Sequence, residues 1–544
     1  MVTAERIREK RWPAFAIGLI GAAWLAGDAR GQDPGNTPLP GAEVTAHPLS
    51  EPSSPPPVAV SDPTPTREAQ LEDRVRHLEA TIQRMAGQMD QLTAPTSQPS
   101  PVAGPAPEAA KPPASPGALA PGQRTTIVPS PSDAQNMPPA NRKDKLSGTF
   151  GPGFMLKTDD DEYVLQFHDL TQIEGRFYEQ GGQDPVRDSF AIPRQWYMFS
   201  GRITKPYEYF VSLQQSFDAI LPLDVFLNVN YDQRLQFKVG RFKTPFTYEF
   251  YQLPIQGLIN PERSLFFNNF ALNRQVGAMA WGQLFDQRVD YSAGIFNTLQ
   301  NGNVDFSDGK DFLGYLAFKP FLLEKDSPLQ YLNVGGSVDV GNQNNAPVPQ
   351  TLRTQVPTTG SSTIGIPFLA FNNNIRQAGQ HTLWSLHAAW YYKQLSLVSE
   401  WQSGFQNYAP TTALQDKTNL PIDSFYVQAG YFLTGETVAM RGMVKPLRPF
   451  DPRKGQRGPG AFELATRYNH LELGDQVFSH KLADRKLWTN DVYTTDLGLN
   501  WYPNQYLKLI LNWEHAGFGD PVRFAPDRRQ LTSDTFWFRF QLYF

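Results

Sequence analysis

The 544-residue sequence contains no cysteine, so a disulfide framework, a thiolate metal site and a cysteine nucleophile are all excluded. Charged residues are also scarce, at 19%, whereas aromatic residues reach 13%. Soluble domains of average composition carry about 25% charged residues, so this balance is unusual for a soluble enzyme. The formal net charge of −4 is small for such a chain and provides no overall field that would attract nucleic acid. We therefore expect no nucleic-acid partner.

The sequence also lacks an apolar run long enough for a membrane helix, which takes about 18 residues. Residues 14–26 are apolar but number only 13; they follow several basic residues and precede a small-residue stretch that ends at Gly31. This is the pattern of an export signal, so residues 1–31 are predicted to be a signal peptide. An N-terminal membrane anchor is the alternative. A chain without membrane helices can cross a bilayer only as a closed barrel, because every backbone polar group needs a partner in lipid.

Catalytic and cofactor motifs are missing as well. The sequence has no G-x-S-x-G, no H-E-x-x-H and no glycine-rich phosphate loop, and its eight histidines do not show metal-ligand spacing. We expect no catalytic residue, no cofactor-binding residue, no metal and no cofactor, and we do not expect an enzyme.

The N-terminal third is polar and proline-rich, with one helical interruption. Residues 32–66 and 94–145 are rich in Pro, Ala and Ser, which predicts a disordered segment and an extended linker. Between them, residues 67–93 are predicted to form a short α-helical coiled coil, because apolar residues alternate in steps of four and three. An amphipathic helix lying on a barrel or on lipid is the alternative. The residues of this seam are Leu71, Val75, Leu78, Ile82, Met85, Met89 and Leu92.

From residue 146 to Phe544 the dominant period is two, which is typical of β-strands with one apolar and one hydrated face. In the last strand, for example, Phe536, Phe538 and Phe540 alternate with Thr535, Trp537 and Arg539. We predict an all-β domain over 146–544, an antiparallel transmembrane β-barrel of about sixteen strands. The predicted strands are 162–178, 192–204, 206–218, 223–232, 234–242, 274–285, 288–297, 311–320, 330–341, 380–392, 395–405, 422–434, 460–473, 490–502, 504–516 and 533–544.

The predicted connections are mostly short on one side of the barrel and mostly long on the other. Long connections are expected at 243–273, 342–379, 474–489 and 517–532, whereas the long connection 435–459 falls on the short side. Short turns opposite long loops are typical of outer-membrane barrels.

Several motifs resemble one known family. Residues 238–282 (KVGRFKTPFTYEFYQLPIQGLINPERSLFFNNFALNRQVGAMAWG) contain GRFKTPF, ERS and RQVG in the order that this family shows. Three later stretches, at 431–436, 460–473 and 498–518, are also similar. The C-terminal four hundred residues thus resemble the phosphate-selective porin O and P family. The resemblance implies a sixteen-stranded barrel, a homotrimer, a third long loop folded inward as a constriction, and basic residues that line an anion-conducting pore.

The candidate pore-lining residues are basic side chains on the predicted lumen face and on the two connections 243–273 and 435–459. Concentrated positive potential at such places would attract phosphate-like anions. The alternative is that these cations are solvated or paired with carboxylates, since residues 148–544 hold 35 Lys and Arg against 38 Asp and Glu. The candidates are Arg202, Lys238, Arg241, Lys243, Arg263, Arg274, Arg441, Lys445, Arg448 and Arg467.

These features together predict an outer-membrane porin for passive diffusion of small hydrophilic solutes, with an anion preference and with phosphate or polyphosphate as candidate permeants. The alternative is a structural barrel that tethers the envelope and transports little. The expected partners are outer-membrane lipids, further copies of the chain in a homotrimer, small anions such as phosphate, and the barrel-assembly machinery, which would recognise Phe544. The expected location is the outer membrane of a Gram-negative-type bacterium, with the N-terminal arm in the periplasm.

Overall fold

The computed structural model describes residues 145–151, 153–179, 186–216, 219–299, 302, 308–355 and 365–544. The predicted signal peptide, both proline-rich segments and the coiled coil lie outside the described residues, apart from Lys145 at the end of the linker.

Sixteen antiparallel strands of the described chain close into a barrel. Each strand pairs with the next one along the barrel wall, and the last strand pairs back onto the first, from Thr535 opposite Tyr178 to Tyr543 opposite Leu170. This closure leaves no unpaired edge within the wall. The predicted fold class, a sixteen-stranded antiparallel barrel, is confirmed. The barrel strands are β3 to β11, β15 to β17 and β20 to β23. The bounds of all strands are β1 (Leu146–Gly151), β2 (Gly153–Thr158), β3 (Val164–Tyr178), β4 (Ser189–Thr204), β5 (Tyr207–Ser216), β6 (Ala219–Asp232), β7 (Leu235–Lys243), β8 (Arg274–Leu284), β9 (Val289–Asn297), β10 (Lys310–Phe318), β11 (Tyr331–Gln343), β12 (Thr351–Arg353), β13 (Pro367–Ala370), β14 (Ile375–Gln377), β15 (Gly379–Tyr392), β16 (Leu395–Pro410), β17 (Thr418–Phe432), β18 (Phe450–Asp451), β19 (Gln456–Arg457), β20 (Ala461–Leu473), β21 (Asp491–Asn504), β22 (Leu507–Ala525) and β23 (Arg528–Tyr543).

The two faces of the barrel wall differ as the period of two predicts. On the outer face Leu464, Leu497 and Leu511 are each about half exposed. On the inner face Glu463 and Asp496, which alternate with them, are fully buried. An apolar outer wall around a polar interior is the arrangement that suits a barrel surrounded by lipid.

The helices are short and lie in the connections. They are α1 (Tyr248–Tyr251), α2 (Leu265–Phe270) and α3 (Gln476–Ser479), with 3-10 turns at Ile255–Gly257 and Pro452–Lys454. No helix among the described residues has the length and apolar character needed to cross a membrane.

The largest difference from the predicted connections lies between β22 and β23. Residues 517–532 were predicted as a long loop, but β22 continues to Ala525 and β23 begins at Arg528. The pairing of these strands shifts between Gly517 and Val522 and again before Ala525. Such irregularities admit Gly and Pro residues that a regular ladder excludes, which is why composition indicated a loop there.

An additional hairpin precedes the first barrel strand. Strand β2 pairs with the first part of β3 (Phe154 opposite Phe167), whereas β23 pairs with its second part. The ring of the last residue, Phe544, lies 5.8 Å from that of Phe154 and 6.1 Å from that of Phe167. The hairpin therefore extends the sheet along the part of β3 that β23 does not reach. The recognition of Phe544 by the assembly machinery stays a prediction.

Candidate functional site

The connection between β7 and β8, residues 244–273, folds into the barrel interior; we call it the inserted segment. Almost all of its side chains are buried, including Phe246, Phe250 and Phe266, which are fully enclosed. Two caps start its helices: the Thr247 hydroxyl accepts from the Phe250 amide, and the Ser264 hydroxyl accepts from the Phe267 amide. Apolar content and local caps explain why a connection of this length forms ordered structure.

Glu262 is the main attachment of the inserted segment to the wall. Arg194 of β4 donates to both carboxylate oxygens, at 2.8 and 2.6 Å, and Arg539 of β23 donates at 2.5 Å. Arg467 of β20 donates to the backbone carbonyl of Glu262 at 2.6 Å. Burial alone would raise the pKa of Glu262, but Arg194 and Arg539 lower it below its usual range. The carboxylate is therefore ionised, and it joins the inserted segment to both β4 and β23.

Glu400 of β16 attaches the other end of the inserted segment. Its carboxylate accepts from the backbone amides of Tyr248, at 2.9 Å, and Glu249, at 2.7 Å. These amides begin α1 and have no partner within the helix, so a carboxylate is a favourable acceptor. Ser385 and Tyr426 of the neighbouring strands also donate to Glu400. The inserted segment is thus bound to separate parts of the barrel wall.

Arg441 links the connection 433–460 to both the wall and the inserted segment. Its guanidinium contacts the Glu463 carboxylate at 2.6 and 3.2 Å and donates to the carbonyl of Gly257 at 2.9 Å. Both charged groups are buried, at 2% and 0% exposure. Asn500 and Tyr502 also donate to Glu463. Arg441 therefore joins the connection 433–460, on the short-turn side of the barrel, to β20 and to the inserted segment.

Replacing Arg441 with methionine is expected to destabilise the barrel by about 3–5 kcal/mol, because it leaves Glu463 buried without its counter-charge. The double variant Arg441→Met with Glu463→Met should recover part of that loss. Urea unfolding of the barrel in lipid vesicles measures the free energy of unfolding of the single and the double variant. Strictly additive losses would contradict a coupled pair.

Five of the predicted basic residues lie together where the inserted segment leaves the wall, and we call them the cationic cluster: Lys238, Arg241, Lys243, Arg263 and Arg274. Three cationic groups surround the Phe250 ring, with Lys243 and Arg263 each at 5.1 Å and Arg274 at 5.7 Å. Lys238 lies among the rings of Phe226, Phe242 and Trp281, at 4.7, 5.4 and 4.8 Å. Aromatic faces stabilise cations without cancelling their charge.

Three members of the cationic cluster, Lys238, Lys243 and Arg263, have neutral partners, unlike the buried arginines that contact carboxylates. Lys243 donates to the carbonyl of Phe250 at 2.9 Å, and Arg263 donates to the carbonyls of Glu249 and Leu253. Among the described residues, no carboxylate lies within 4 Å of Lys238, Lys243 or Arg263. Arg274 differs, since it forms an ion pair with Asp224 at 2.9 Å. Burial lowers the pKa of Arg263 only to about 10, so it stays charged at neutral pH.

The remaining predicted residues lie elsewhere. Arg202 is partly exposed on β4, and Lys445 and Arg448 are exposed on the connection 433–460. Arg467 is buried and contacts Asp496 at 3.1 Å. The structure thus does not bring these residues to the cationic cluster, and their role in anion selection stays a prediction.

Sequence reasoning missed the residues that attach the inserted segment. They are Arg194, Glu400, Glu463, Lys508 and Arg539. Most of them occupy inward positions of alternating strands, so charged residues on an inward face were the available signal. Which of them meet across the lumen depends on contacts far apart in sequence, such as that between Lys508 and the carbonyl of Leu258.

The family of the chain follows from the sequence match. The family model described as "Phosphate-selective porin O and P" matches residues 175–544, which is more than half of the chain. The chain belongs to this family. A porin of this family with a closed barrel and an apolar outer wall is a channel protein of the outer membrane.

Individual relatives of this porin are distant. An uncharacterised protein of Caulobacter vibrioides is 25% identical over 265 residues, which cover 46% of this chain and 48% of that protein. The porin thus spans about half the length of the curated relative it matches. The anion-selective porin from Comamonas acidovorans superimposes with a TM-score of 0.43 and 9% identity over 70% of this chain and 100% of that one. OmpT of Vibrio cholerae, in its trimer form, superimposes with a TM-score of 0.43 and 9% identity over 71% of this chain and 100% of that one.

Proposed function

We propose that this porin is a passive channel for small hydrophilic solutes that favours anions, with phosphate among its permeants. The observation that carries the proposal is the cationic cluster. Lys238, Lys243 and Arg263 lie beside neutral partners, whereas Arg194, Arg441 and Arg539 are each offset by a carboxylate.

The position of the cluster supports a role in selection. It lies where the inserted segment joins β7 and β8, and Lys238 and Lys243 are partly exposed there. Charged groups on the lumen wall and on inserted loops select ions in water-filled barrels. Uncompensated positive charge at a narrowing raises the local concentration of anions and lowers that of cations. Phosphate suits such a site because lysine and arginine form strong charge-assisted hydrogen bonds to its oxygens.

The ion-paired interior explains why the overall charge balance does not decide selectivity. Several buried carboxylates are engaged by arginines that hold the inserted segment or the wall, as Glu262 and Glu463 are. Their contributions cancel locally, whereas Lys238, Lys243 and Arg263 have no carboxylate within 4 Å among the described residues. Anion preference with a nearly neutral chain is therefore physically consistent.

The assembly follows from the same proposal. We place three copies together in the outer membrane, through the apolar outer wall, with the predicted coiled coil of residues 67–93 joining the copies in the periplasm. The trimer form of the Vibrio cholerae OmpT structure agrees with this assignment. A barrel that only tethers the envelope is the second candidate; the predicted coiled coil and linker favour it.

Planar-bilayer recording of the full chain tests the proposal. Discrete conductance steps are expected, with a reversal potential in a KCl gradient that shows chloride passing more readily than potassium. Adding phosphate should reduce the chloride current, because both anions would occupy the cationic cluster. Closed barrels without steps would favour the tether, and a cation-preferring reversal potential would overturn the assigned selectivity.

A further inference from the structure

Three metal-ligating side chains meet on the inner wall, away from the cationic cluster. Asp311 of β10, Asp339 of β11 and His381 of β15 come from adjacent strands and are 0%, 0% and 1% exposed. His381 Nε2 lies 3.2 Å from Asp339 Oδ1 and 3.7 Å from Asp311 Oδ1. One ligand atom from each residue lies within 4.8 Å of the other two. Such a triangle is large enough for one cation at its centre.

Strand register and one glycine bring these groups together. Asp339 sits on the central strand opposite Leu383, and Gly341, two residues later on the same face, pairs with His381. A Cβ atom at Gly341 would lie 1.6 Å from Asp311 Oδ1 and 2.9 Å from His381 Cε1. The backbone of Gly341 is not in the left-handed region, so its conformation alone does not require glycine. The missing side chain is what lets Asp311 and His381 reach across β11 towards Asp339.

Two polar atoms of this cluster have no hydrogen-bond partner among the described residues and could bind a ligand. Asp339 Oδ2 and His381 Nδ1 are buried and have no hydrogen-bond partner among the described residues. A carboxylate buried beside a neutral imidazole, as Asp339 is, is costly to ionise unless positive charge lies next to it. A divalent cation would supply that charge and leave the imidazole neutral, as a metal ligand requires.

We propose that Asp311, Asp339 and His381 bind one divalent transition-metal cation, with Zn²⁺ as the favoured ion. One imidazole nitrogen and two carboxylate oxygens are donors that Zn²⁺ accepts, whereas Mg²⁺ and Ca²⁺ prefer oxygen alone. The ion joins β10, β11 and β15 next to the long connection 344–378. Spacing could not indicate this site, because its ligands lie on three strands separated by loops, and Asp339 and His381 are 42 positions apart in the sequence.

Metal content of the refolded porin tests this site. Because the ligands are enclosed, the chain is refolded into detergent with either Zn²⁺ or EDTA, desalted, and only the folded fraction is analysed by elemental mass spectrometry. We expect about one Zn²⁺ per chain after refolding with Zn²⁺, and at least a tenfold loss in Asp339→Asn. His387→Gln, which changes another buried histidine of β15, is the matched control and should retain the metal. Less than a tenth of an ion in the unaltered chain, or equal Zn²⁺ in Asp339→Asn, would overturn the proposed site.

Gly341→Ala and a spectroscopic probe keep the test independent of folding defects. The added methyl group should weaken Zn²⁺ binding at least tenfold while the barrel still forms, since it occupies the space between Asp311 and His381. Unchanged Zn²⁺ binding in Gly341→Ala would overturn the proposed site. Refolding the unaltered chain with Co²⁺ should give visible d–d absorption that excess Zn²⁺ removes, and a colourless product would also count against the site.

Discussion

Replacing Glu262 with glutamine is expected to detach the inserted segment and destabilise the barrel by about 3–5 kcal/mol, because the change leaves buried arginines without their carboxylate. The glutamine keeps the shape of the side chain and removes its charge. Its amide nitrogen would face Arg194 or Arg539, both of which can only donate. A segment that no longer binds β4 and β23 should leave the lumen part of the time. Conductance should therefore be higher and less steady than in the unaltered porin.

Two measurements check this expectation on the same protein. Urea unfolding in vesicles gives the change in the free energy of unfolding, and single-channel recording gives the conductance. Glu324→Gln is the matched control, since Glu324 is an exposed glutamate in the connection between β10 and β11. It should alter neither quantity. A Glu262→Gln porin with unaltered stability and conductance would mean that the segment is held by its apolar contacts alone.

The barrel could be predicted because its signal is local and repeated. Each strand shows its own alternation, as Leu464 and Glu463 do on β20, and lipid outside with a polar interior imposes that period on every strand. The first hairpin was missed because its strands, β1 and β2, have only six residues each. The extended β22 was missed because its bulges contain the Gly and Pro residues that usually mark loops.

The site could be predicted only in part, for a different physical reason. The basic residues near 238–274 were identified because they are close in sequence and flank one long connection. The carboxylates that neutralise the other arginines are remote: Arg539 meets Glu262 from a position 277 residues away. Whether a cation is paired therefore depends on how the inserted segment packs in the lumen. That packing is encoded by contacts such as Glu400 with the start of α1, which no local pattern indicates.

Replacing Lys238 and Lys243 together with glutamine is expected to abolish or reverse the anion preference of the channel. These two side chains are partly exposed and have ring or carbonyl partners, so a positive charge on either one acts on nearby ions. Each removed positive charge lowers the local concentration of anions beside the cationic cluster. Arg263 and Arg274 are less suitable targets, because they are almost fully buried, at 2% and 3% exposure, and Arg274 is also paired with Asp224. Removing either would change the structure as well as the charge.

The reversal potential in a KCl gradient measures the effect directly, and its shift should point towards potassium. Lys325→Gln, at an exposed position in the connection between β10 and β11, is the control for loss of a lysine that lies outside the lumen. The effect should also weaken at high salt, because mobile ions screen the field of exposed lysines over about 3 Å at 1 M. A double variant that keeps the reversal potential of the unaltered porin would place ion selection elsewhere, with Arg202 and the exposed Lys445 and Arg448 as the next residues to test.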